Sequence, residues 1–84
     1  MEEHIGDRLR RARVAAGFES LAALARVANV HTETIWRYEA GRIKPSIEKL
    51  HSLAKTLDVR MEWLVSGDGP MRPTQHPPPA DEAA

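Results

Sequence analysis

The chain has 84 residues, twelve of them Lys or Arg and twelve Asp or Glu, with no cysteine. That length suits one domain with a modest core, and the lack of cysteine excludes disulfides, thiolate metal sites and a cysteine nucleophile while fitting a reducing, cytoplasmic compartment. The charges cancel overall but are segregated, with Arg8, Arg10, Arg11 and Arg13 in one stretch and Arg37, Arg42 and Lys44 in another, so local basic patches are open to a neutral chain.

The apolar positions Ile5, Leu9, Ala12 and Ala16 are spaced by four, three and four residues, one face of a first helix that Gly17 ends. Ser20 suits the cap of a second helix, Leu21 to about Ala28. A short turn at Asn29-Val30 leads to a third helix, about Thr32 to Ala40, closed by Gly41. Arg42 to Pro45 reads as a loop. Pro45 and Ser46 are start signals for a fourth helix with the stripe Ile47, Leu50, Leu53, Ala54 and Leu57, all expected in the core. A short fifth helix runs from about Met61 to Val65 and stops at Gly67.

Beyond Asp68-Gly69-Pro70 the composition shifts. Met71 to Ala84 holds four prolines and almost no large apolar residue, the signature of a disordered tail. The expected fold class is therefore all-α: a compact five-helix domain over residues 4–67, followed by a disordered Pro-rich tail over 68–84. The acidic start (Met1-Glu2-Glu3-His4) does not resemble a signal peptide. No stretch approaches the roughly 18–20 apolar residues of a bilayer span, so no membrane association is expected.

The second and third helices carry the most informative spacing. Ala25 is small where two helices cross closely, and Asn29 sits where the turn needs a positive φ, which asparagine tolerates. Val30, Ile35 and Tyr38 anchor the third helix to the core, leaving Thr32, Glu33, Trp36 and Arg37 on its outer face.

The ordered set of fragments resembles the Cro and phage-repressor helix-turn-helix family, also called the xenobiotic-response-element type, across about three-quarters of the chain. The matching pieces are Ile5 to Arg13, Leu24-Ala25 with Asn29-Val30, Ile35 to Gly41, Arg42 to Ser46, Leu53-Ala54, Leu57-Asp58-Val59, and the ending Trp63 to Met71.

The resemblance implies a sequence-specific transcriptional regulator of double-stranded DNA, most often a repressor, with its third helix in the major groove. It places Thr32, Glu33 and Arg37 on base-contacting positions with Trp36 beside them. Ser20, His31, Arg42 and Lys44 fall near backbone-contacting positions, and Arg8 is a further candidate for phosphate. Arg13 and Glu39 match a family pair linking the first helix to the recognition helix, a structural role. A homodimer on an inverted repeat is expected, in a cytoplasmic, bacterial or phage-encoded protein. Trp63, Leu64, Val65 and Met71 are candidates for the dimer surface.

Two positions depart from the family pattern. Leu21 stands where glutamine commonly reaches a phosphate, and Trp36 where small or polar side chains are usual. Together with Glu33 they suit a protein-interaction module on the same fold, antitoxin-like or co-regulatory. Trp36 is open to thymine-methyl contact, a protein interface or burial in a dimer. No cofactor or metal is expected, since His4, His31, His51 and His76 are dispersed and cysteine is absent. Ser46-Ile47-Glu48-Lys49 matches S-x-x-K in letters only, without companion motifs, and is read as a cap. No enzyme activity is expected.

Overall fold

A computed structural model of the chain describes residues 3–72. The expected disorder of the remaining tail residues, 73–84, lies outside the described residues. Five α-helices follow one another: α1 (Ile5–Ala15), α2 (Leu21–Ala28), α3 (Thr32–Glu39), α4 (Ile47–Leu57) and α5 (Met61–Ser66).

Three of these five starts carry a side-chain cap. Ser20 Oγ accepts from Ala23 N at 3.0 Å and Ser46 Oγ from Lys49 N at 3.1 Å, satisfying amides that have no partner inside their own helix. At α1 the cap is His4, whose Nδ1 accepts from Gly6 N at 3.0 Å, while the Asp7 carboxylate accepts from His4 N at 3.2 Å. That reciprocal box is built on an imidazole and is invisible to a search for Ser, Thr, Asp or Asn.

Leu9, Leu24, Ile35, Leu53, Leu57 and Leu64 are fully buried, one or more from every helix, and burying each such side chain contributes about 1.5–3 kcal/mol. α3 packs on α2 and α1, and α5 covers α4 and α1. The six-residue α5 is thus a lid on the core. Trp63 (5% exposed) and Leu64 (fully buried) belong to that core, which corrects the expectation that they form a free dimer surface: so small a domain needs both to close its base. Ile47 is a second correction. It is 64% exposed because it occupies the first residue of α4, where the apolar stripe outruns the helices that cover the rest.

The body also continues past Gly67, where the tail was expected to begin. Arg60 N donates to Met71 O at 2.8 Å, and Arg60 Nη1 to Asp68 O at 3.1 Å and Pro70 O at 3.2 Å. Arg72 Nη1 donates to Leu57 O at 3.1 Å and Nη2 to Ala15 O at 3.2 Å. The last carbonyls of α4 and α1 lack partners within their helices, and the arginine supplies donors to both. Met71 packs against the core cluster. Composition pointed to a disordered tail from residue 68 and could not foretell that Arg72 ties two helix ends together.

Candidate nucleic-acid interface

The path from α2 to α3 depends on one residue in an unusual conformation. Asn29 has φ 60° and ψ 46°, the left-handed region that asparagine enters more easily than other non-glycine residues. This lets Val30 N reach back to Ala25 O at 3.0 Å, and Ala25 is buried where the two helices meet. Ile35 and Tyr38 then point into the core, so the helical period leaves Thr32, Glu33, Trp36 and Arg37 exposed on the other side.

What aims α3 is its contact with α1. Arg13 Nε donates to Glu39 Oε2 at 2.7 Å and Arg13 Nη2 to Glu39 Oε1 at 3.4 Å, with side chains only 9% and 8% exposed. Arg13 Nη1 donates to Phe18 O at 2.9 Å, which fixes the fork in place. Gly6 lies at the same junction. A Cβ built there would stand 2.5 Å from both Glu39 O and Tyr38 O, so only glycine lets α1 approach the end of α3 this closely.

The outer face is organised by two further contacts. Arg37 Nη2 donates to Glu33 Oε2 at 2.8 Å across one turn of the helix. The Arg42 guanidinium lies 5.4 Å from the Trp36 ring centroid, a cation–π distance that draws the loop cation up to the helix. Trp36 is 44% exposed. Leu21, by contrast, is partly buried and packs against the core. Lys44 is exposed in the loop after α3, and Ser20 and His31 are exposed at the starts of α2 and α3. His31 makes no side-chain capping bond, so its imidazole is not tied to the helix end.

Arg8 departs from its expected place. It is 7% exposed, and its Nε, Nη2 and Nη1 donate to Leu64 O at 2.9 Å, Val65 O at 2.8 Å and Glu3 O at 3.1 Å. The end of α5 carries carbonyls needing donors, and the guanidinium is drawn in to supply them. Arg8 is therefore a structural residue holding α5 to α1, not a solvated cation open to phosphate.

The structure thus gathers Thr32, Glu33, Trp36, Arg37 and Arg42 on one face and leaves Arg8 out. The Glu33–Arg37 pair and the Arg42–Trp36 stack were missed in the sequence. The first had a signal, since a glutamate four residues before an arginine is the spacing at which helix side chains meet; the second had none. Among the described residues no group of three His, Cys, Asp or Glu side chains is placed to hold a metal ion, and no helix is long and apolar enough to cross a membrane.

Comparison with known proteins agrees with this architecture. A family model described as "Helix-turn-helix domain" matches residues 4–64. Among solved structures, the chain is similar to the P22 c2 repressor protein, crystallised in complex with synthetic operator 9T in the presence of Tl+. The TM-score is 0.73 at 28% sequence identity, covering 80% of this chain and all of that one. The chain belongs to the helix-turn-helix domain family, in its phage-repressor-like form.

Proposed function

We propose that this protein is a sequence-specific regulator of double-stranded DNA, a repressor, that lays α3 in the major groove. The observation that carries this reading is the outer face of α3. Thr32, Glu33, Trp36 and Arg37 take no part in the core, and the helix bearing them is aimed by the buried Arg13–Glu39 pair. The similar P22 c2 repressor, crystallised in complex with an operator, supports DNA as the partner.

Arginine matches guanine O6 and N7, glutamate accepts from cytosine N4, and an indole can lie against a thymine methyl. Ser20 and His31 at helix starts, with Arg42 and Lys44 in the loop, suit phosphates, which set register without choosing sequence. One short helix makes few contacts, so two copies on the half-sites of an inverted repeat, about 34–36 Å apart, are the working form. The protein acts in the cytoplasm, on bacterial or phage DNA.

A protein-interaction module is the second reading, favoured by the half-exposed indole of Trp36 and the balanced charge. A salt titration of binding to random duplex DNA separates the two. DNA binding gives an affinity that falls steeply with salt, and Lys44→Ala lowers the log–log slope by about 0.9. Negligible binding at every salt concentration would select the protein module instead. Selection from a random duplex pool, with sedimentation of the free protein, tests the inverted repeat and the dimer.

A further inference from the structure

We infer that Glu33 and Arg37 read a single G·C base pair as one joined unit, with Arg37 meeting the guanine and Glu33 the cytosine opposite it. The inference rests on the DNA-binding reading above and deepens it by naming the operator feature that this face selects.

The argument is one of spacing. On its major-groove edge a G·C pair presents guanine N7 and O6 as acceptors and, next to O6, the cytosine N4 amino group as a donor. O6 and N4 are joined by a Watson–Crick hydrogen bond, so they stand about 2.7–3.2 Å apart. Arg37 Nη2 and Glu33 Oε2, a donor beside an acceptor, are themselves 2.8 Å apart. The ion pair therefore offers the complement of the O6/N4 pair at the same separation.

Donor counting agrees. A guanidinium has five N–H groups, and Arg37 uses one toward Glu33. The second hydrogen on Nη2 is left for O6, and those on Nη1 for N7. The N4 hydrogen not engaged in base pairing is left to meet the carboxylate.

The same geometry argues against two separate readers. Residues four apart rise about 6 Å along a helix, more than the roughly 3.4 Å between successive base pairs, so extended side chains would land on different pairs. Helix side chains lean toward the N-terminus. The long side chain of Arg37 thus folds back over the turn carrying Glu33, and the two charged groups end at one level, in contact. Both side chains are exposed, so the pair stands clear of the core. An i,i+4 pair also steadies an isolated helix, and the test must separate that role from reading.

The test is selection of bound duplexes by the full-length protein, its Glu33→Ala and Arg37→Ala variants and the double variant, with helix content checked by circular dichroism. The wild-type profile should hold a fixed G·C pair. Glu33→Ala and Arg37→Ala should each relax that same position, lowering its preference by about tenfold, and the double variant should relax it no further than Arg37→Ala alone.

Relaxation of two different positions, or an unchanged profile for Glu33→Ala, overturns the inference and leaves the DNA-binding reading intact. No enriched sequence for the wild type overturns both.

Discussion

Two arginine–glutamate pairs flank α3, and their difference separates scaffold from working surface. Arg13–Glu39 lies between α1 and α3 with both side chains less than a tenth exposed. Glu33–Arg37 lies on the opposite face with about half or more of each side chain open to solvent. The contacts are almost equal in length, 2.7 and 2.8 Å, so chemistry and distance do not distinguish them. Desolvation does. Ions removed from water cannot lose a partner cheaply, whereas solvated ions can exchange one partner for another. The inner pair therefore fixes the angle of α3, and the outer pair keeps solvated donors and acceptors to offer a ligand.

The largest expected effect comes from breaking the inner pair. Glu39→Ala leaves the Arg13 guanidinium buried with only Phe18 O to receive its hydrogen bonds and should cost about 3–5 kcal/mol in denaturant unfolding. The double variant Arg13→Met/Glu39→Leu should recover much of that loss, because no uncompensated charge is left behind. Should Glu39→Ala prove as mild as a surface change, the inner pair would not be the scaffold described.

Next comes Gly6→Ala, which would push a methyl group into the carbonyls of Tyr38 and Glu39. Despite a gain in helix propensity, it should lower stability by about 1–2 kcal/mol, measured the same way.

The smallest effect on stability belongs to the outer pair. Glu33→Ala should change unfolding by no more than about 0.5 kcal/mol, while Arg37→Ala should weaken operator binding by about 1–3 kcal/mol. A large stability loss for Glu33→Ala would erase the contrast.

Much of this arrangement was legible in the sequence, for reasons tied to particular residues. Gly17, Ser20, Asn29, Gly41 and Ser46 punctuate the chain by local backbone chemistry, so helix ends fell within a residue or so of their observed places. The core stripe of α4 followed from period alone, except at Ile47, because period does not say where the neighbouring helices stop. Arginines were the hardest to place. Arg8, Arg37, Arg42 and Arg72 have one chemistry and four settings: a buried clamp on α5, an ion pair, a stack on indole and a tie between two helix ends. Only the i,i+4 case can be seen in the sequence, because the other three depend on carbonyls and a ring brought near by the fold. The same limit hid Trp63, whose late position and size suggested an interface although α5 folds it inward.

The most direct measurement is a titration of the isotope-labelled protein with duplex DNA, following backbone amide shifts residue by residue. The account predicts that the largest changes fall on Thr32 to Arg37, with smaller ones at Ser20, Arg42 and Lys44 and almost none at Trp63 or Leu64. Changes concentrated on α4 and α5, with α3 unmoved, would contradict it.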